Sequence, residues 1–232
     1  FMEKLIIDLL SDTHNQHGKF TCDGGNILIH AGDATLRGTE AEALVFLDWY
    51  AKQDYDYLIF VPGNHDWSFE RQPVLMAEAC QDRNIILLND SGVELEGIKI
   101  HGSPVQPWFH NWSFNRNRGE DIKHHWDMIP DDTELLITHG PPAGFLDVVS
   151  YVDGTPKERV GCQDLMDKIL KSQVKLHVFG HIHEARGVAY VGPTTFVNAS
   201  CLDRMYYPAS KRPIRATREV VQDGSIVYLA EE

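Results

Sequence analysis

Short apolar runs recur along the chain, and the strongest of them stop at polar turns rich in glycine. Leu5 to Leu10 is broken only by Asp8 and leads into Ser11-Asp12-Thr13-His14-Asn15. Ile27-Leu28-Ile29-His30 ends at Ala31-Gly32-Asp33, and Tyr57 to Val61 ends at Pro62-Gly63-Asn64-His65-Asp66. Glu134 to Thr138 stops at His139-Gly140-Pro141-Pro142, and Leu176 to Phe179 at Gly180-His181-Ile182-His183. Runs of this length bounded by turn residues predict strands. Ile85 to Leu88, Val93 to Leu95 and Ile98 to His101 predict shorter ones, with turns at Asn89 to Gly92 and Glu96-Gly97. The C-terminal third is strand-rich, at Val188 to Val191, Thr195 to Asn198, Arg218 to Val221 and Ile226 to Leu229.

Between these runs the period changes. Thr39 to Lys52 predicts a helix that Thr39 caps, with Glu42 completing a capping box and Leu44, Leu47 and Ala51 on the buried stripe. Pro73 to Gln81 predicts a second helix, with the proline in its first turn. Gly119 to Trp126 and Gln163 to Leu170 predict two more. Alternating strands and helices are the grammar of an α/β domain, whose ligands sit at the carboxyl ends of strands. Ser103 to Arg118 follows no period. It interleaves Trp108, Phe109, Trp112 and Phe114 with Pro104, Pro107, His110, Asn115, Arg116 and Arg118, and predicts a packed loop.

Composition narrows the partners. The 232 residues suit one domain, spanning 1–232. Lys and Arg number 21 against 34 Asp and Glu, a formal net charge of -13, which disfavours a long nucleic-acid duplex or an anionic membrane surface. A small phosphorylated substrate stays compatible, because bound divalent cations reverse the local field. No apolar run approaches the roughly 20 residues that span a bilayer. Phe1-Met2-Glu3-Lys4 lacks a signal-peptide pattern. Cys22, Cys80, Cys162 and Cys201 are far apart and form no CxxC, which suits a reducing compartment. A cytoplasmic location is the expectation.

The strand ends carry the candidate chemistry. Asp12 with His14, Asp33, Asn64 with His65, His139, and His181 with His183 each follow an apolar run. One aspartate in such a place can be a helix cap, and Gly-Asn is a common turn. Five such endings in one chain point instead to a shared site, since the strand ends of an α/β sheet converge. Carboxylate, imidazole and amide donors suit two divalent ions, with manganese, iron and zinc fitting almost equally. The two-residue spacing of Asp12 and His14 favours one ion for both, whereas a turn between His181 and His183 can send them to different ions. His17, His30, His110, His124, His125 and His177 lack this placement and are expected in the core or on the surface; His101 ends a strand and stays open.

These motifs resemble the calcineurin-like metallophosphoesterases. The blocks Asp12-Thr13-His14, Gly32-Asp33, Gly63-Asn64-His65-Asp66, Thr138-His139-Gly140 and Gly180-His181-Ile182-His183 occur in the family's order. Gly102-Ser103-Pro104, Pro107-Trp108-Phe109, Arg159-Val160-Gly161-Cys162 and Asn198-Ala199-Ser200 bring the chain near the branch of the mammalian brain metallophosphoesterase-domain proteins and their bacterial relatives. Some mammalian members have Gly at the first histidine of the last block; this chain keeps His181.

The resemblance implies a four-layer αββα sandwich of two mixed sheets flanked by helices. It implies two divalent ions (Mn2+, Fe2+/Fe3+ or Zn2+), one held by Asp12, His14, Asp33 and His183 and the other by Asp33, Asn64, His139 and His181. His65 would face the substrate, with Asp66 orienting its ring. The implied reaction is hydrolysis of a phosphate ester, most readily a small diester such as a cyclic nucleotide, by attack of a metal-bridging hydroxide. Asn64, Trp108, Phe109, Arg116 and Arg118 are the expected substrate contacts. Trp108, Phe109, Trp112 and Phe114 would wall a nucleobase or aryl group, with Pro141 to Phe145 as a second wall. The alternatives are a phosphomonoesterase or protein phosphatase with the same core, a catalytically reduced scaffold, and a mononuclear hydrolase of a non-phosphate ester.

Overall fold

The computed structural model describes residues 4–151 and 153–231; Phe1, Met2 and Glu3, on which the reading of the chain start rests, lie outside the described residues. In chain order the strands of the first half are β1 (Leu5–Leu10), β2 (Gly25–His30), β3 (Tyr55–Phe60), β4 (Ile85–Leu87), β5 (Ser91–Leu95), β6 (Ile98–Ser103), β7 (Gln106–Pro107) and β8 (Asn115–Arg116). The second half adds β9 (Leu135–Thr138), β10 (Val148–Ser150), β11 (Pro156–Arg159), β12 (Leu176–Phe179), β13 (Gly187–Val191), β14 (Thr194–Asn198), β15 (Ile214–Val220) and β16 (Ile226–Glu231). The α-helices are α1 (Glu40–Tyr50), α2 (Trp67–Arg71), α3 (Pro73–Gln81), α4 (Glu120–Trp126) and α5 (Gln163–Ile169).

Two six-stranded mixed sheets form the centre, in the orders β16-β15-β1-β2-β3-β4 and β13-β14-β12-β9-β6-β5. In the first, β1 to β4 are parallel and β15 joins β1 antiparallel. In the second, β14, β12, β9 and β6 are parallel, with antiparallel strands at both edges. Alternation decides which side chains meet. Ile7, Leu9, Ile27, Ile29 and Ile59 face Leu135, Ile137, Leu176 and Val178 between the sheets. Leu10, Leu28, Leu58 and Phe60 point outward and are covered by Phe46, Leu47 and Tyr50 of α1 and Met76 of α3. On the far side Leu136 and Phe179 are covered by Ile122 and Trp126 of α4 and Leu165 of α5. The result is the expected four-layer αββα sandwich. Strands covered on both faces read as continuous apolar runs, which is why they are conspicuous in the sequence. Each fully buried aliphatic side chain contributes roughly 1.5–3 kcal/mol, so Ile137→Ala at the centre of this layer would cost on the order of 2–5 kcal/mol.

The predicted elements recur with small boundary changes. Thr39 caps α1 by accepting from Glu42 N at 3.2 Å. The Glu42 carboxylate accepts from Arg37 N and Gly38 N, at 2.8 and 3.0 Å, and so also braces the incoming loop. The segment 103–118 is a packed loop that contains one short parallel pairing, β7 with β8. The hairpin β10–β11 and helix α2 are additional elements that the periodicity did not announce, since both are short and half-polar.

Candidate active site

The carboxyl ends of β1, β2, β3, β9 and β12 converge at one rim of the sandwich, where Ser11 and Ser200 form a parallel bridge. Three clusters of potential ligand atoms arise there: Asp12, His14 and His183; His14, Asp33 and His65; and Asp33, His139 and His181, the atoms of each lying within 4.8 Å of one another. Asp33 belongs to two clusters and His14 to two, so the three form one continuous site. The rings of His181 and His183 diverge into different clusters, because His181 takes φ +71° and turns the chain between them. Asn64 joins through its Oδ1, 2.9 Å from His139 Nε2. His101 is buried within β6 and stands outside the clusters, as do His17, His30, His110, His124, His125 and His177.

The backbone is bent to deliver these groups. Asp12, His14, Asp33 and His181 all have positive φ, at 56°, 39°, 55° and 71°. Such conformations cost energy for residues with a Cβ and persist only where the surroundings over-determine them. Here main-chain bonds do so, with Asp12 N donating to Gly32 O at 2.8 Å and His14 N to Asp33 O at 3.0 Å. Two glycines leave the needed room. A Cβ on Gly32, whose φ is +103°, would fall 2.5 Å from His139 Nδ1, and one on Gly180 would overlap Ser11 Oγ and Asp12 Oδ2.

Hydrogen bonds fix three of the rings. Carbonyl oxygens only accept, so Nδ1 of His14 donates to Thr35 O at 3.1 Å, Nδ1 of His139 to Ala31 O at 2.8 Å, and Nδ1 of His183 to Asp203 O at 3.1 Å. All three therefore turn Nε2 inward, the arrangement that metal-binding imidazoles adopt. His14 Nε2 lies 3.2 Å from His183 Nε2, and His139 Nε2 lies 3.3 Å from Asp33 Oδ2. The buried Oδ1 of Asp12 finds no hydrogen-bond partner among the described residues, while Oδ2 accepts from His181 N and Ser200 Oγ, both at 2.9 Å. Inward-facing acceptors crowded this closely fit divalent cations in both donor type and charge. The clusters are a site for two divalent metal ions.

The electrostatics agree. Burial pushes His14 down to about 4 and His181 down to about 3. Burial opposes charge on His139 and His183 as well, but the Asp33 carboxylate raises the first to about 9 and Asp12 raises the second to about 9. Asp12 and Asp33 are themselves buried, which raises them, yet their histidine partners hold both carboxyls well below the usual carboxylate range.

His65 and Asp66 do not form the expected pair. Nδ1 of His65 donates to Leu36 O at 2.7 Å, so a backbone carbonyl orients the ring. The fully buried Asp66 carboxylate instead accepts from Gly63 N at 2.7 Å, Ala34 N at 3.3 Å, Thr35 N at 3.0 Å and Thr35 Oγ1 at 2.7 Å. It ties the turn after β3 to the turn after β2. Burial and then the charge of Asp33 raise it to about 6.

A cavity of about 660 Å³ opens over the clusters. Trp108, Phe109 and Trp112 line it, as do Arg118, Pro141 and Tyr206. Trp108 is 55% exposed, and Phe109 meets His181 edge-on at a centroid distance of 4.9 Å. Three residues expected at the cavity are elsewhere. Arg116 points away from the cavity, donating Nε to His125 Nε2 at 3.0 Å and Nη1 to Asn115 O at 2.8 Å. Phe114 is buried in the core between α1, α3 and the first sheet. Phe145 likewise stacks on Phe196 rather than lining the cavity. Arg118 does line it, though its guanidinium already donates to Val160 O and Gly161 O. The turn 203–207 was not anticipated. Its Asp203 O orients His183, and Tyr206, at φ +63°, packs its ring 4.9 Å from that of His14 and 5.1 Å from that of His183. No residue type at 203–207 marks such a turn as part of a site.

Comparison with known proteins agrees with this geometry. The model of the family described as calcineurin-like phosphoesterase matches residues 5–185. The chain is 39% identical to human metallophosphoesterase domain-containing protein 1, over 87% of this chain and 67% of that protein. It is 37% identical to a UPF0046 protein of Caenorhabditis elegans, K07C11.7, over 84% of this chain and 69% of the relative. Among solved structures, phosphopantetheinyl hydrolase from Mycobacterium tuberculosis superposes with a TM-score of 0.60 at 16% identity, over 94% of this chain and 96% of the other, a likeness of fold. Among the described residues no helix is long and apolar enough to cross a membrane.

Proposed function

The chain belongs to the calcineurin-like phosphoesterases, and from that premise we propose that this metal-dependent phosphoesterase hydrolyses small phosphodiesters, cyclic nucleotides among them. The observation that carries the reading is the sharing of Asp33 between adjoining clusters, beneath a cavity walled by Trp108 and Phe109. In this reading Asp12, His14, Asp33 and His183 hold one cation, and Asp33, Asn64, His139 and His181 the other. Two cations supply neutralisation of the phosphate charge and acidification of water. The chain's own part is orientation. Thr35 O, Ala31 O and Asp203 O keep three imidazoles in the tautomer with Nε2 inward. His65 Nδ1 is committed to Leu36 O, so Nε2 is the atom that exchanges a proton with the leaving oxygen. Asp66 holds the turns after β2 and β3 in register, which sets the separation of Asp33 and Asn64. Phe109 against His181, with the exposed face of Trp108, offers apolar surface to a base or aryl leaving group. Arg118 supplies positive charge at the same cavity. The whole chain, 1–232, acts in this reading as one catalytic domain.

The test is a comparison of manganese-loaded protein on a diester and the monoester with the same leaving group, together with cyclic nucleotides. Faster turnover of the diester supports the reading, and a dominant monoester rate replaces it with a phosphomonoesterase. His65→Asn should lower turnover on the diester by about a hundredfold or more while leaving two metal ions bound.

A further inference from the structure

The imidazole of His65 is held on three sides. Leu36 O accepts from its Nδ1 at 2.7 Å. The ring of His14 meets it edge-on, with centroids 4.6 Å apart and planes at 81°. The indole of Trp112 stacks on its face, with centroids 4.2 Å apart and planes at 30°. One hydrogen bond leaves a ring free to rotate about the bond's axis; a stacked neighbour removes that rotation, because turning the ring breaks the face contact.

Trp112 is itself fastened to the elements that carry His65. Ser113 N donates to Asn64 O at 3.2 Å, one residue before His65. Ser113 Oγ and Phe114 N donate to the Glu70 carboxylate at 3.0 and 3.1 Å, and Glu70 lies on α2, which starts directly after Asp66. Phe114, buried in the core, anchors the same loop from below. The indole is thus referenced to the His65 turn from two points. Both rings line the cavity over the clusters.

We propose that Trp112 is a positioning residue that fixes the plane of the His65 ring, so that Nε2 stays aimed at the leaving oxygen. The proposal rests on the reading above that His65 serves the leaving group. In that step a water oxygen forms the new bond to phosphorus as the bond to the leaving oxygen breaks. The Nε2 proton passes to the leaving oxygen, and the proton lost by water goes to solvent and later restores the imidazole. A ring free to turn delivers that proton less often, and the loss grows as the leaving group becomes a stronger base.

The experiment compares a series of aryl methyl phosphates, from p-nitrophenyl to unsubstituted phenyl, with manganese-loaded wild type, Trp112→Leu, Trp112→Phe and His65→Ala. p-Nitrophenolate departs without help, whereas phenolate needs a proton. Trp112→Leu is expected to lower kcat on the phenyl ester about tenfold, to leave kcat on the p-nitrophenyl ester nearly unchanged, and to alter KM little. Trp112→Phe, which keeps a stacking face, should recover most of the loss. In the His65→Ala background Trp112→Leu should have no further effect on kcat. A uniform rise in KM across the series, or equal loss on both esters, makes Trp112 a substrate wall or a structural residue and overturns the proposal. If His65→Ala does not itself penalise the phenyl ester more, the underlying reading of His65 fails separately. A histidine carbon–proton spectrum gives an independent check: the upfield ring-current displacement of the His65 signal should disappear in Trp112→Leu, and its persistence contradicts the stack.

Discussion

Nε2 of His14 lies 3.2 Å from Nε2 of His183, while both Nδ1 atoms are committed to backbone carbonyls. Without a cation, one of the two rings must place a proton between them. The electrostatics assign it to His183, raised against burial by Asp12 to about 9, whereas burial lowers His14 to about 4. His139, raised by Asp33 to about 9, carries the corresponding proton in the adjoining cluster. Cations and protons therefore compete for the same atoms. Loading the metal-free protein at pH 7 should release about two protons per chain. Affinity should rise with pH through about 9 and level off above it, where those rings become neutral. Calorimetry in two buffers of different ionisation enthalpy measures the release; none released contradicts the assignment.

Asp33 is the residue common to the second and third clusters. Asp33→Asn is expected to impair both ions together, leaving well under one tightly held metal per chain. Asp12→Asn should weaken chiefly the ion beside His14 and His183. Elemental analysis after gel filtration distinguishes them, and an Asp33→Asn protein that retains two ions removes the bridging role.

Asp66 collects four hydrogen bonds from Gly63, Ala34 and Thr35 in a fully buried position. Asp66→Ala leaves those donors unpaired and should cost about 3 kcal/mol of stability. Denaturant titration of metal-free protein reads this directly. A loss of activity at unchanged stability would instead assign Asp66 a direct part in the chemistry.

The side chains of the clusters were legible because each follows an apolar strand run, and because few residue types can hold a metal. What orients them was less so. The acceptors for His14, His65, His139 and His183 are the carbonyls of Thr35, Leu36, Ala31 and Asp203, and a carbonyl is present whatever the side chain. The resemblance implied Asp66 for His65, but the carboxylate turns into the core to satisfy backbone N–H groups. In the aperiodic segment 103–118 nothing in residue type separates Trp112, which reaches the cavity, from Phe114, which fills the core. That sorting is made by the bonds of Glu70 to Ser113 and Phe114, an interaction between elements far apart in sequence.

His177 provides a pH test outside the metal clusters. It is buried, its Nε2 lies 2.8 Å from Thr138 Oγ1, and burial lowers it to about 3. Below about pH 6.5 the unfolded chain protonates this residue and the folded chain does not, so the unfolded state binds more protons and stability falls as pH falls. The loss from this group starts near the unfolded value and is complete near 3. It amounts to roughly 2 kcal/mol at pH 5. His177→Gln should flatten the decline in denaturant-derived stability between pH 6.5 and 4 by about one proton. An unchanged slope would mean that the ring is charged inside the folded protein.

Anomalous diffraction from crystals of the manganese-loaded protein tests the central claim most directly. Two peaks are predicted at the joined carboxyl ends of β1, β2, β3, β9 and β12, one beside Asp12, His14 and His183, the other beside Asn64, His139 and His181, with Asp33 touching both. A single peak, or a pair that does not share Asp33, would contradict it.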